Sequence, residues 1–474
     1  MIWKTSWKNV WRNKTRSLVV VISIVIGVAG GLFYIAFSNG MVEQRLYDAL
    51  NNEVAHIQLT NNSFRANNEI HYNIPQSRQL IQELQADPEI TGVSERLIIN
   101  GMATVSGKNS GIQLLGVDPE MEKEVTDIYK FVVPETGSWD NLKKENQIII
   151  GEAMAKELNL VNYRPNAQTI DSLAFHEVHQ SVVEKIKSFD GMYFRNEKKY
   201  KRELERLLGT QDYTEYSDYI LEYSRVYRMR AKVIMSFVDV DSNQVTVAYR
   251  IGGIYKFSNK LYENMTAYVN GDHLRELANM QEGSSHQIMI RVSELDNCMG
   301  IRDRLKDQYP DFEVLSWKEI QTDLAYMEEM MAFFYSIFML IILGALSFGI
   351  INTMLMAVLE RTKELGMLTA IGMNRRKVFG MIMLESVFLS LSGGVIGMIL
   401  GEILIVYTHH TGISLAGMSE AMESMGYSSI LYPSIPNSFF ITLTILVIIT
   451  GVLSAIYPAI KALKMNPSEA LRTD

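Results

Sequence analysis

The sequence predicts a membrane α-helical protein: four transmembrane helices, with a large α+β extracytoplasmic domain inserted between helices 1 and 2. Three observations carry this. Four long apolar runs, at residues 18–38, 329–358, 378–408 and 438–463, hold most of the apolar side chains, so the overall 47% hydrophobic and 21% charged averages two unlike parts. Residues 39–328, between the first two runs, alternate apolar and polar side chains in several stretches, the period of a strand with one buried face. Lys and Arg cluster beside the runs, in 1–17, 359–377 and 464–474, while 406–437 contains neither.

The first run carries no charge, and at about 1.5 Å per residue it reaches across roughly 30 Å of hydrocarbon. A cleaved leader would have a shorter apolar stretch, about 7–15 residues, ended by a small-residue site, so the run reads as a retained anchor. The third run holds Glu385 and Glu402. Carboxylates are costly at membrane depth and are expected to face the bundle interior or an interface, Glu385 as a structural hydrogen-bonding group. Orientation follows from Lys4, Lys8, Arg12, Lys14 and Arg16, from Arg361, Lys363, Arg375, Arg376 and Lys377, and from Lys461, Lys464 and Arg472. The positive-inside rule places both termini and the 359–377 connection in the cytoplasm, and 39–328 and 409–437 outside. In residues 1–17, Trp3, Trp7 and Trp11 share one face of an amphipathic elbow helix opposite Lys4, Lys8 and Arg12, with the aromatic face in the headgroups.

In the external domain, 56–60, 232–240 and 244–255 read as strands, with Asp241, Ser242 and Asn243 turning one hairpin, and 77–86, 152–160 and 293–309 read as helices. Residues 162–230 differ in texture: they hold eight of the chain's 23 tyrosines and a dense mixture of charges, as an inserted helical subdomain would. Tyr216, Tyr219, Tyr223 and Tyr227 are spaced to stripe one helix face. That stripe serves either as the insert's own core or as a docking surface.

Composition excludes several functions. With 45 Lys plus Arg against 53 Asp plus Glu, net −8, no basic excess supports nucleic-acid binding. The single cysteine, Cys298, allows neither an internal disulfide nor a cysteine-rich metal site. Gly101 to Gly107, followed by Lys108 and Asn109, imitates a phosphate loop but has five residues between its glycines and no Ser or Thr after the lysine, so it reads as a hairpin turn. His176, Glu177 and His179 lack the spacing that sets two imidazoles on one helical face, and His409 and His410 read as interfacial, so no metal site is expected. No catalytic constellation emerges, and the chain is expected to be no enzyme.

The membrane ends are more informative. Ser23, Gly27 and Gly31, then Gly393, Gly397 and Gly401, then Gly451, Ala455 and Ala459 repeat every four residues, a spacing that lets helices approach closely in lipid, within one chain or between two. In the 359–377 connection, charged Glu360, Arg361 and Glu364 precede apolar Leu365, Met367, Leu368 and Ile371 at helical spacing. Gly366 and Gly372 allow close approach and a helix stop, giving a short amphipathic helix beneath the membrane.

The stretch from Asn352 to Gly372, the Leu384-Glu385 pair followed by Gly393, Gly394, Gly397 and Gly401, and the tail from Tyr457-Pro458-Ala459 through Asn466-Pro467 to Arg472 resemble the FtsX-type permease domain of MacB-class (type VII) ABC transporters. External segments 56–59, 115–125 and 148–158 are more similar to the lipoprotein-releasing permeases LolC and LolE than to macrolide exporters, and the 162–230 insert departs from both. The resemblance implies an inner-membrane permease with both termini cytoplasmic and its large domain periplasmic, holding no cofactor itself, with ATP and Mg on a separate cytoplasmic ABC ATPase. That ATPase would dock on Glu360, Arg361, Glu364, Leu365, Gly366 and Gly372, and its closure would push the first two spans and thereby move the periplasmic domain. A second permease copy or homologue would complete a dimer. Ser23, Gly27, Gly31, Phe334, Ile337, Gly393, Gly397 and Gly401 would then form helix packing or a cargo cleft open to membrane lipid. The cargo implied is lipoprotein passed to a periplasmic carrier; the alternatives are a MacB-like exporter of small molecules or peptides and an FtsX-like regulator of a periplasmic partner.

Overall fold

The charge-free run after Leu18 forms the middle of a helix of 35 residues, α2 (Lys14–Asp48), preceded by a short helix, α1 (Ile2–Val10). α3 (Thr322–Glu360), α5 (Arg375–Thr411) and α6 (Ser438–Leu463) contain the other apolar runs, and α4 (Thr362–Ala370) joins α3 to α5. Four helices among the described residues are long and apolar enough to cross a membrane. The computed structural model describes residues 2–166, 169–171, 173, 178–371 and 373–464. It divides into two units, Met1–Glu43 with Tyr326–Ser414 and Ile430–Asp474, and Gln44–Ala325 with Leu415–Ser429. Both divisions at the ends of the large domain fall inside helices, α2 and α3.

In the helical unit the small residues set the packing. A Cβ on Gly393, Gly397 or Gly401 of α5 would lie 2.7 Å from Ile24, 2.9 Å from Val28 and 2.8 Å from Leu32 of α2. Such spacing is available only without a side chain, which is what glycine contributes at a helix crossing in lipid. α6 seats on α5 in the same way: Ser386 Oγ donates to the Gly451 carbonyl at 2.9 Å, and a Cβ on Gly451 would meet Ser390 Oγ at 2.6 Å. The buried side chains along these crossings, among them Val28, Leu32, Leu389, Leu443 and Val447, form one core.

The other unit is built on a nine-stranded sheet. In chain order its strands are β1 (Ile57–Asn61), β2 (Ile90–Val105), β3 (Lys108–Val117) and β4 (Gln147–Gly151). After a separate pair, β5 (Val161–Tyr163) and β6 (Arg225–Tyr227), come β7 (Lys232–Val238), β8 (Gln244–Tyr255), β9 (Thr266–Asn270), β10 (Gln287–Val292) and β11 (Phe312–Ser316). The order is β11-β1-β10-β2-β3-β9-β4-β8-β7, and β7 pairs back onto β2 from Gly101↔Phe237 to Thr104↔Ile234. β2 permits this closure because it is 16 residues long: its first half pairs with β10, and its second half offers the same edge to β7. The Gly101–Lys108 segment is the β2–β3 hairpin, turned by Ser106 and Gly107 at φ 49° and 81°, the paired positive φ of a two-residue I′ turn.

The insert is helical in part, with helices Gln180–Lys187, Glu197–Leu208 and Thr210–Tyr223 beside the β5–β6 pair. Among the described residues it has no separate core. Leu97, Leu114, Ile148 and Met235 of the sheet belong to the same buried cluster as Tyr163, Ile186, Tyr200 and Ile220 of the insert. The tyrosine stripe needs correction: the helix ends at Tyr223, and Tyr227 lies in β6, where its hydroxyl donates to Glu152 at 2.9 Å. Tyr219 is exposed, so the spacing does not mark one buried face.

Candidate functional site at the charged end of the membrane helices

α3 ends at Glu360, and the chain turns through Arg361 into α4, with Leu365 N–H donating to the Arg361 carbonyl at 2.9 Å. The turn places three charged side chains on the helical bundle. Arg16, in the first turn of α2, makes a forked pair with Glu360, one branch at 2.7 Å. Arg12, just past α1, pairs with Glu364 at 2.6 Å. Arg361 reaches both ways: its Nη1 lies 3.1 and 3.2 Å from the two oxygens of Glu385 in α5, and its Nε donates to Glu364 at 3.1 Å.

Glu385 is the buried centre of the group. Asn9 of α1 donates to it at 2.6 Å, so one carboxylate holds α1, α5 and the α3–α4 turn together. A carboxylate in lipid needs such partners, because an unpaired one costs several kcal/mol. α1 is fixed further by Ser6 Oγ donating to the Met381 carbonyl at 3.2 Å and by Trp3 and Trp7 meeting Phe388 edge-on at 5.2 and 5.6 Å. The aromatic side of the elbow helix is thus partly a packing surface against α5, while Trp3 and Trp7 stay exposed on their outer sides. At Glu364, burial pushes the carboxyl up, and the hydrogen bonds from Arg12 and Arg361 outweigh it, leaving the group below its ordinary value.

The residues expected to dock a partner separate into two sets. Glu360, Arg361 and Glu364 are engaged in ion pairs within the chain, and Leu365 and Gly366 are buried. Among the described residues from Thr362 to Ile371, the exposed large apolar side chains are Met367 and Ile371, 51% and 78% exposed. Gly372 lies outside the described residues, as do His176, Glu177 and the tail from residue 465. The small-residue set also divides. Gly27 faces Leu346, Gly31 faces Ile342 and Met339, and Gly393, Gly397 and Gly401 face α2, all within this chain. Ser23 turns its hydroxyl back to the Val19 carbonyl at 2.9 Å, and Phe334 and Ile337 are exposed.

Sequence reasoning missed Asn9, Arg12 and Arg16 as partners. A signal was present: Arg12 and Arg16 are spaced by four, as are Glu360 and Glu364, two complementary ladders on segments far apart in the chain.

Residues 336–467 match the model of the FtsX-like permease C-terminal family, and 17–171 match that of the MacB-like periplasmic core domain. The chain belongs to the ABC transporter permeases of the MacB/FtsX type. It is similar to an uncharacterized ABC transporter permease of Methanocaldococcus jannaschii, 28% identical over 47% of this chain and 55% of that protein. It is also similar to a macrolide export ATP-binding/permease protein, MacB, of Chlorobium luteolum, 30% identical over 36% of this chain and 23% of that protein. The chain thus spans about half of the first relative's length and less than a quarter of the second's. Among solved structures, the extracellular domain of the transporter YknZ from Gram-positive bacteria aligns over 55% of this chain and 99% of that one, at 12% identity and a TM-score of 0.26.

Proposed function

We propose that this chain is the permease subunit of an inner-membrane ABC transporter that turns ATP hydrolysis by a separate cytoplasmic ATPase into work outside the membrane. One observation carries the reading: the α3–α4 turn is tied to α1, α2 and α5 by Arg361–Glu385, Arg16–Glu360, Arg12–Glu364 and Asn9–Glu385. A push on α4 is then passed through these contacts, the buried Arg361–Glu385 pair foremost, to the start of α2 and the end of α3. Both helices run unbroken past the division with the large domain, at Gln44 and Tyr326, so they are the transmitting rods. ATP and Mg belong to the ATPase, which binds the exposed Met367 and Ile371 surface.

The cargo is lipoprotein, drawn from the outer leaflet of the inner membrane and passed to a periplasmic carrier, with a second permease copy completing the cleft. What supports this is the resemblance, read from the sequence alone, of segments 56–59, 115–125 and 148–158 to the lipoprotein-releasing permeases. Export of small molecules or peptides is the second reading, favoured by the MacB relatives. Co-purification with the co-expressed ATPase separates them. Lipoprotein release, ATP hydrolysis stimulated by a triacylated lipoprotein, and no response to macrolides are the expected results. Stimulation by macrolides or soluble peptides alone overturns the lipoprotein assignment, and absence of any bound ATPase overturns the permease mechanism.

A further inference from the structure

The charged end of the helical unit encloses a cavity of about 560 Å³, within the roughly 300–1,000 Å³ of ordinary ligand pockets. Its walls have two characters. Val10, Met354, Ala357 and Leu389 make an apolar side, and Arg12, Lys14 and Arg16 make a basic one. The ion pairs described above account for the three carboxylates that line it: Glu360 with Arg16, Glu364 with Arg12 and Arg361, and Glu385 with Arg361. That leaves Lys14 as the surplus cation, with no acidic partner among the described residues. The first turn of α2 adds to it. Ser17 N–H is taken by the Asn13 carbonyl at 3.1 Å, but the amides of Lys14, Thr15 and Arg16 begin the helix with no capping side chain among the described residues. Uncapped amides at the positive end of a 35-residue helix attract an anion. The apolar span begins at Leu18, so this turn lies at headgroup depth. Residues 2–17 contain five basic side chains, Lys4, Lys8, Arg12, Lys14 and Arg16, and no acidic one.

From the amide cluster, the surplus lysine and the apolar wall, we infer that this cavity binds the phosphate headgroup of an anionic phospholipid. Charge complementarity selects the anionic class: the phosphate meets Lys14 and the α2 amides, and the four cations that line the cavity, Arg12, Lys14, Arg16 and Arg361, exceed its three carboxylates by one. Basic pockets between spans on the cytoplasmic side recognise such headgroups. Bound lipid braces the elbow helix against α2 next to the ion pairs that hold α4. The leaflet assigned here rests on the proposed orientation; binding in detergent does not.

The test is native mass spectrometry of the full chain in detergent, titrated with phosphatidylglycerol or phosphatidylcholine. Tighter retention of phosphatidylglycerol is expected, weakened about fivefold in Lys14→Gln, the effect of one basic side chain at an anionic headgroup. Lys14 makes no ion pair, so this variant leaves the α4 network in place, and Lys377→Gln, a basic residue outside the cavity, should retain lipid as the wild type does. Equal retention of the two lipids, no loss in Lys14→Gln, or an equal loss in Lys377→Gln overturns the assignment. Displacement of the lipid by inorganic phosphate reassigns the cavity to a free anion. None of these results bears on ATPase docking, so the proposed function stands or falls separately.

Discussion

Arg361 and Glu385 form a salt bridge whose two ends are not equivalent. Glu385 is 7% exposed and has two partners, Arg361 and Asn9, of which only Arg361 is charged. Arg361 is 18% exposed and keeps a second carboxylate, Glu364, at 3.1 Å. Removing the arginine therefore strands a buried carboxylate with one neutral donor, whereas removing the glutamate leaves the arginine paired. Breaking a buried pair from the side that strands a charge costs about 3–5 kcal/mol, the expected loss for Arg361→Met. Glu385→Gln keeps an oxygen for Asn9 and leaves Arg361 on Glu364, so about 1–3 kcal/mol is expected, the scale of one lost charged hydrogen bond. The double variant Arg361→Met with Glu385→Gln removes both charges and should recover much of the loss, a coupling of roughly 2 kcal/mol or more. Reversible unfolding of the detergent-solubilised chain by titrated SDS, followed by tryptophan emission, measures all three, since Trp3 and Trp7 meet Phe388 beside the pair. A Glu385→Gln loss equal to or larger than that of Arg361→Met, or additive losses in the double variant, would refute the asymmetry and the claim that Glu385 is the buried centre.

Further outcomes follow from other contacts in the two units. Gly397→Ala would set a Cβ 2.9 Å from Val28 and 3.0 Å from the Val25 carbonyl and should cost about 1–3 kcal/mol by overpacking. Gly30→Ala, with no atom within 4 Å of the new methyl, should be neutral or stabilising in the same assay. The Arg12–Glu364 pair is well exposed, so Arg12→Glu should change stability by less than about 1 kcal/mol yet lower ATPase coupling, and adding Glu364→Arg should restore it. In the large domain, burial holds His56 and His286 down at about 4. The unfolded chain binds their protons from about pH 6.5, so their stabilising effect is complete above that and lost as pH falls toward 4, up to about 3 kcal/mol each. A His286→Gln variant should flatten the acid limb of the thermal midpoint; an unchanged limb would show that His286 does not stay neutral in the fold.

The spans were legible because a run such as 18–38 has no alternative to lipid or a core, and the β2–β3 hairpin because Ser106-Gly107 sits between alternating stretches. Periodicity reports which face of an element is buried, not what covers it. The return of β7 onto β2 and the merging of the insert with the sheet core both depend on partners distant in sequence, so neither could be read. Tyr227 shows the same limit: its spacing from Tyr223 fits a helix, but the chain turns at Ser224 and pairs Tyr227 with Val161. At the site, the acids of the connection were visible, while their engagement by Arg12 and Arg16 was not. A surface charge offers itself equally to a partner protein and to another part of its own chain.

The central claim, carried over from the proposed function, is that the segment after Arg361 receives the ATPase through the exposed apolar side chains of Met367 and Ile371. Photo-crosslinking amino acids at Met367 and Ile371, with Phe348 of α3 as an equally exposed control, test this directly in membranes containing the co-expressed ATPase. Adducts with the ATPase at Met367 and Ile371, and none at Phe348, are the predicted result. A co-purifying ATPase that crosslinks at neither position would contradict the account.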